Sequence, residues 1–204
     1  MKAKFITFEG SEGSGKSTQS RLLYNYLKSR GLKAIYLREP GGTSVSEKIR
    51  RILLDVGNKK MAAECEMLLY MASRAQAVHE IIKPALARGQ NVVSDRFLDS
   101  TIAYQGFGLG LDIALIKSLG DFATAGIKPD LTIFLDLPIK KGLRHRWTSR
   151  DRIERRPLGY HERVRKGYLA IARREPRRFK IIRVAKDKAV TQERIREAVR
   201  GYVF

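Results

Sequence analysis

The stretch that decides the fold runs from Phe5 to Thr18 and reads Phe5-Ile6-Thr7-Phe8-Glu9-Gly10-Ser11-Glu12-Gly13-Ser14-Gly15-Lys16-Ser17-Thr18. The apolar run Phe5–Phe8 predicts a buried strand, and the apolar spacing from Thr18 to Lys28 predicts a helix. The segment between them matches the pattern G-x-x-x-x-G-K-S, whose glycines let backbone N–H groups converge on phosphate oxygens at the positive end of a helix. The stretch therefore predicts a strand, a phosphate-binding loop and a helix, and indicates that the chain binds a nucleoside triphosphate.

Four further short apolar runs, rich in strand-forming residues, follow along the chain: Ala34–Leu37, Asn91–Ser94, Leu131–Leu135 and Lys180–Val184. Stretches with helical apolar spacing separate them, including Glu64–Ala87, and Gly31, Gly89 and the segment 126–129 are typical helix stops. Alternating strands and helices predict an α/β fold, a doubly wound sheet of five parallel strands flanked by helices. We expect residues 1–204 to form one domain, with the polar, arginine-rich segment 147–156 as a short lid.

The charge of the chain is strongly basic. Its 41 Lys and Arg against 21 Asp and Glu give a formal net charge of +20, and arginines crowd between Arg144 and Arg183. This balance favours polyanionic partners such as nucleotides or nucleic acid, although a solvated basic face would have the same composition. The single cysteine excludes an internal disulfide, and the N-terminus has no apolar signal region, so we expect a cytoplasmic protein.

A magnesium site needs an acid beside the phosphate loop, at the end of a neighbouring strand. Asp95 and Asp136 both follow predicted strands. Asp95 is favoured because Arg96 comes next, so that one strand end supplies an acid for the metal and a guanidinium for phosphate. Ser17, whose hydroxyl can ligate Mg²⁺, and Asp95 are therefore the predicted metal ligands.

Taken together, the motifs resemble the thymidylate kinase family, and the resemblance runs from Lys4 to about Tyr202. The matching segments are 8–18, Arg38-Glu39-Pro40-Gly41-Gly42-Thr43, Leu68-Leu69-Tyr70-Met71-Ala72-Ser73-Arg74, Asp95-Arg96-Phe97-Leu98-Asp99-Ser100-Thr101-Ile102-Ala103-Tyr104-Gln105-Gly106, Lys128-Pro129-Asp130-Leu131 and Asp151-Arg152-Ile153-Glu154. Their order and spacing are highly specific. The resemblance implies a phosphate-loop kinase that uses ATP and Mg²⁺ to convert dTMP to dTDP.

The resemblance also implies roles for individual residues. Tyr70 stacks on the thymine ring and Arg74 hydrogen-bonds its edge, which is consistent with their four-residue spacing on one helix face. Arg38 and Arg96 clamp the monophosphate, and two guanidiniums suit that task geometrically. The remaining nucleoside contacts are Ser100, Thr101, Tyr104 and Gln105, with Tyr104 lying where a ribose 2′-hydroxyl would be.

At the donor end, the nucleotide-binding residues are Gly10, Ser11, Glu12, Gly13, Ser14, Gly15, Lys16, Ser17 and Thr18. Glu12 is unusual because an acid in a phosphate loop repels phosphate. The family places it toward the acceptor sugar and the magnesium shell. Glu9 is assigned only a weak role, that of a structural acid at the end of a strand. Lys16, Arg96 and Glu12 are the candidate catalytic residues outside the lid.

The phosphate loop contains no arginine, and family members of the bacterial-like type place that arginine in the lid. The candidates are Arg146, Arg150, Arg152, Arg155 and Arg156, of which Arg150 and Arg152 are favoured as catalytic. The chain departs from the family at His145, where many members carry an arginine that packs on adenine. Arg144 or Arg146 can substitute for it.

Two other functions stay open at this point. A kinase for another monophosphate, such as dUMP or UMP, is disfavoured by the pocket residues. A basic ATP-binding nucleic-acid protein fits the charge, but no run of aromatic residues interleaves the arginines. We expect dTMP and ATP as partners, a homodimer built on the Glu64–Ala87 region, no membrane, and at most weak, non-specific nucleic-acid binding.

Overall fold

The sheet contains five parallel strands in the order β2-β3-β1-β4-β5. The computed structural model describes residues 2–144 and 151–203. The strands are β1 (Phe5–Gly10), β2 (Ala34–Arg38), β3 (Asn91–Asp95), β4 (Leu131–Asp136) and β5 (Phe179–Arg183). The central strand pairs with both neighbours, with Ile6 opposite Val93 on β3 and opposite Leu131 on β4. The predicted α/β fold with five parallel strands is confirmed.

Helices connect the strands and cover both faces of the sheet. Their bounds are α1 (Lys16–Ser29), α2 (Ser44–Leu54), α3 (Ala63–Ala77), α4 (Lys83–Ala87), α5 (Leu98–Thr101), α6 (Ile113–Ala123), α7 (Ile139–Arg144), α8 (Leu158–Arg174) and α9 (Lys188–Val203), with π-helical segments at Val78–Ile82 and Ile102–Gly108. The predicted helix Glu64–Ala87 is therefore divided. Pro84 explains the break, because it has no N–H to donate to the carbonyl one turn earlier.

Alternate side chains of the strands pack on opposite faces of the sheet. Ile6 and Phe8 of β1 pack with Leu23 of α1 and Ile195 of α9 on one face of the sheet. Phe134 of β4 faces the other way and packs in the cluster formed by α3, α6 and α8. This alternation is what a parallel sheet covered on both faces requires.

The predicted helix stops are confirmed at Gly31, Gly89 and Gly126, which have φ angles of 76°, 72° and 73°. A glycine adopts this left-handed conformation without the steric cost of a side chain, so each helix ends and the chain turns toward the next strand. No helix in residues 2–144 and 151–203 combines the length and apolarity that crossing a membrane requires.

Candidate active site

The carboxyl ends of the strands open into a cavity of about 350 Å³. In open α/β sheets, ligands bind at this edge, beyond the carboxyl ends of the strands. The lining residues are Glu12, Gly13, Gly15, Lys16, Ser17, Thr18, Arg38, Glu39, Pro40, Arg50, Leu54, Tyr70, Asp95, Arg96, Ser100, Thr101, Tyr104, Gln105, Asp151, Ile153 and Glu154. Most of the residues selected from the sequence therefore share one cavity.

The phosphate loop leads from β1 into α1, as the sequence predicts. The Lys16 ammonium donates to the carbonyl of Ser11 at 2.8 Å. Burial, reinforced by the positive charge of Arg96, lowers the pKa of Lys16 to about 8. Gly10, Ser11 and Ser14 shape the loop from behind rather than lining the cavity. The loop thus presents a buried cation and the N-terminus of α1 to the cavity, which suits a polyphosphate.

The predicted metal ligands are adjacent. The Ser17 hydroxyl donates to Asp95 Oδ2 at 2.5 Å, whereas Asp136, the alternative acid, accepts two hydrogen bonds from Arg165 at 2.7 and 2.9 Å. A hydroxyl and a carboxylate are oxygen ligands of the kind Mg²⁺ prefers, and Mg²⁺ usually takes its other ligands from substrate phosphates and water. No group of three or more metal-binding side chains occurs in the described parts of the chain. The pair fits a magnesium ion shared with phosphates.

Arg96 is the most highly connected residue of the cavity. Its Nη2 donates to Glu12 Oε1 at 2.7 Å and to the Tyr104 hydroxyl at 3.0 Å, and its Nη1 donates to Ser100 at 3.1 Å and to Tyr168 at 3.3 Å. Its backbone φ of 77° is rare for an arginine. The negative charge of Glu12 is therefore neutralised by Arg96, which follows β3, the strand beside β1 in the sheet. This ion pair explains how the phosphate loop can contain an acid.

The buried hydroxyls of Ser100 and Tyr168 accept hydrogen bonds from Arg96, and both donate hydrogen bonds to Glu9. The Glu9 carboxylate accepts hydrogen bonds from Ser100 at 2.5 Å, from Tyr168 at 2.8 Å and from the N–H of Phe97 at 2.8 Å. Burial, with the nearby charge of Asp99, raises the pKa of Glu9 to about 7. Sequence reasoning gave Glu9 a weak role and missed Tyr168, because nothing in α8 marks one tyrosine as facing β1.

The residues predicted to contact the nucleoside, called the nucleoside wall here, are Tyr70, Ser100, Thr101, Tyr104 and Gln105, and all of them line the cavity. The Tyr104 hydroxyl donates to Glu12 at 2.7 Å, and burial raises the pKa of Tyr104 well above its usual value, so it is a neutral donor. Arg74 lies behind this wall with only 2% of its surface exposed. It donates to Glu39, Thr101 and the Phe97 carbonyl, within 3.0 Å in each case. Its contact with a base edge stays a prediction.

A second arginine accompanies Arg38 at the cavity. Arg38 lines it and donates to Glu47 at 2.8 Å. Arg50, which sequence reasoning missed, lines it from α2 and donates to the Pro40 carbonyl at 3.0 Å. Arg50 could not be predicted because α2 also contains Arg51, and no motif distinguishes the two arginines. The cavity therefore has one more cation for an acceptor phosphate than the sequence predicts.

The segment 151–156, which is the described part of the predicted lid, lies against the cavity. His145, Arg146 and Arg150 lie outside the described residues, so their predicted roles concern positions the structure does not describe. Arg152 pairs with Glu66 at 2.5 Å and donates to the Leu53 carbonyl at 2.9 Å. It does not line the cavity. The cavity is lined by its neighbours Asp151, Ile153 and Glu154, which belong to a predicted family motif but were given no role from the sequence.

A phosphate loop, the residues of the nucleoside wall, and the arginines Arg38 and Arg96 line one cavity, and together they define the site of a nucleoside monophosphate kinase. Known proteins agree. A model of the thymidylate kinase family matches residues 8–195, and the chain belongs to that family. The thymidylate kinase of Desulforudis audaxviator is 46% identical over 203 residues, covering 98% of this chain and 92% of that one.

Another relative and a solved structure match equally fully. The thymidylate kinase of Halothermothrix orenii is 48% identical over 206 residues, with 98% of each chain covered. The crystal structure of thymidylate kinase from Ehrlichia chaffeensis has a TM-score of 0.82 at 32% identity, covering 98% of this chain and 100% of that chain. The likeness therefore extends over the fold as well as the motifs.

Proposed function

We propose that the chain transfers the γ-phosphoryl group of ATP to dTMP, giving dTDP and ADP, with Mg²⁺ bound by Ser17 and Asp95. The observation that carries the proposal is that Lys16 and Tyr70 line one cavity, with Arg96 also in its wall. A donor triphosphate on the loop and an acceptor nucleotide on the wall would then meet within that cavity.

The donor end binds phosphates mainly through backbone N–H groups of the loop 10–15, with Lys16 supplying a positive charge. Magnesium, when bound, neutralises charge on the β- and γ-phosphates. Thr18 follows the loop in the first turn of α1 and lines the cavity. These groups hold the triphosphate in one orientation, and orientation is a large part of catalysis in phosphoryl transfer.

The acceptor end places the nucleophile. Arg38 and Arg96 hold the dTMP phosphate so that one of its oxygens forms a bond to the γ-phosphorus while the bond from that phosphorus to the bridging oxygen of ADP breaks. Tyr70 stacks on thymine, Arg74 meets its edge, and Ser100, Thr101, Tyr104 and Gln105 surround the nucleoside. No covalent enzyme intermediate is needed, because the work is positioning and neutralisation of charge.

Incubating the protein with ATP, Mg²⁺ and dTMP is expected to yield dTDP and ADP in equal amounts. Equal yields follow because each transferred phosphoryl group leaves one ADP behind. Chromatographic separation of the four nucleotides measures this directly. ADP that accumulates without dTDP would indicate an ATPase and would contradict the proposal.

We expect the lid arginines Arg150 and Arg152 to act mainly in the transition state. If either meets charge that develops on the transferred phosphoryl group, its replacement by Ala should lower kcat on the order of 10²- to 10³-fold with little change in ATP affinity. For Arg152, this role requires its ion pair with Glu66 to open. Steady-state kinetics and ATP titration measure both quantities.

The exposed Arg173→Ala on α8 is the matched control for the lid variants, and we expect it to behave as wild type. A change confined to ATP affinity would make the replaced lid arginine a ground-state contact. The homodimer and the single domain spanning 1–204 stay predictions, which light scattering and limited proteolysis would decide. Oligonucleotide titration at two salt concentrations would test the expectation of weak, non-specific nucleic-acid binding.

A further inference from the structure

Glu66 is a buried carboxylate that the roles above do not use. It lies in the first turn of α3 and has 0% of its surface exposed. An ionised carboxylate is costly to bury unless it is paired and hydrogen-bonded. Its surroundings satisfy that condition, and they come from two separate parts of the chain.

The two carboxylate oxygens of Glu66 have different partners. Oε1 accepts a hydrogen bond from the side-chain amide of Gln105 at 2.8 Å. Oε2 accepts a hydrogen bond from Arg156 at 2.6 Å and forms an ion pair with Arg152, whose Nη2 lies 2.5 Å away. Glu66 thus joins α3 to the nucleoside wall through one oxygen and to the segment 151–156 through the other.

Both connected parts line the cavity. Gln105 is a wall residue, and the segment 151–156 contributes Asp151, Ile153 and Glu154. Tyr70, the proposed stacking residue, follows Glu66 by one helical turn and so shares its face of α3. A single carboxylate therefore links the stacking helix, the wall and the segment 151–156.

We propose that Glu66 is a positioning residue for the acceptor nucleotide, which it never needs to touch. The inference rests on the proposed function, because it assigns dTMP to this half of the cavity. Without the carboxylate, the guanidiniums of Arg152 and Arg156 lose their shared partner and the segment 151–156 loses its anchor. The acceptor half of the cavity loosens, while the phosphate loop, which Glu66 does not contact, is unchanged.

Glu66→Gln is expected to raise KM for dTMP about tenfold, because it removes the negative charge from a buried ion pair and leaves the arginines without their counter-charge. KM for ATP should change less than about threefold, since the donor end keeps its contacts. Glu66→Asp keeps the charge and should recover part of the affinity. Glu64→Gln, an exposed glutamate on the same helix, is the matched control and should equal wild type.

If Glu66→Gln folds poorly, Arg156→Gln tests the contact between Arg156 and Glu66 by changing the other partner. It should also raise KM for dTMP, and the double variant should raise it by less than the product of the single effects, because both break one contact. Thermal melting of every variant separates loss of fold from loss of positioning.

Turnover of dTMP by the wild-type protein tests the proposed function, and comparison among the variants tests Glu66. An unchanged KM for dTMP in a folded Glu66→Gln protein would overturn the inference. So would an equal rise of KM for dTMP and for ATP, or multiplicative effects in the double variant.

Discussion

Lys16→Ala is expected to reduce kcat for dTMP phosphorylation by about 10³-fold or more, because it removes the one side-chain cation of the phosphate loop. The Lys16 ammonium contacts a loop carbonyl, and its side chain reaches the cavity that we assign to the triphosphate. Charge that moves onto the bridging oxygen of ADP would then lack its counter-charge. The loss should appear in kcat as well as in ATP affinity.

The fold should survive this substitution. Burial lowers the pKa of Lys16 to about 8, so at pH 7 the folded, ligand-free protein holds an ammonium that burial disfavours. Removing it takes that cost away, and the melting temperature should stay level or rise. Lys28→Ala, at an exposed position on the same helix, is the control. Turnover within tenfold of wild type in a folded Lys16→Ala protein would contradict the assigned mechanism.

The second large effect expected is discrimination against ribonucleotides. The Tyr104 hydroxyl is buried between Glu12 and Arg96, at 2.7 and 3.0 Å, so it cannot move aside without breaking both hydrogen bonds. A ribose 2′-hydroxyl directed at this position would meet a fixed group. We expect kcat/KM for dTMP to exceed that for UMP by about 10²-fold or more, of which a missing thymine methyl accounts for only part.

Tyr104→Phe separates the contribution of the Tyr104 hydroxyl from that of the thymine methyl group. It should narrow the preference for dTMP over UMP, because the space held by the hydroxyl opens, and it should lower kcat/KM for dTMP, because Glu12 and Arg96 lose a shared partner. Tyr24→Phe, on α1 and away from the cavity, should change neither value. A preference that is unaltered in Tyr104→Phe would remove Tyr104 from the discrimination.

The fold could be predicted because its decisive signals are local. Each strand is a short apolar run, and the loop 10–17 has a fixed pattern of glycine, lysine and serine. The strand order could not be predicted, because the runs that flank β1 in space come from distant parts of the chain. Chain-local periodicity also missed the π-helical segment before Pro84, although the proline itself is the signal for it.

The site followed the same division. Residues inside a motif, such as Ser17 and Asp95, were predicted and lie together. Two residues that act through distant contacts were missed: Tyr168, which meets Arg96 across 72 positions, and Glu66, which meets Arg156 across 90. Only the folded chain brings such pairs together, and no spacing rule encodes them. Arg74 was predicted from a local motif, but its buried ion pair with Glu39, 35 positions away, could not be.

The most direct test of phosphoryl transfer to dTMP is to measure kcat/KM for a panel of acceptors at saturating ATP and Mg²⁺. The release of ADP is the readout. The panel is dTMP, dUMP, UMP, dCMP and dAMP. We predict that dTMP is the best acceptor, with kcat/KM about tenfold or more above that of dUMP and further above those of the others. A panel in which UMP or dAMP outperformed dTMP would contradict it.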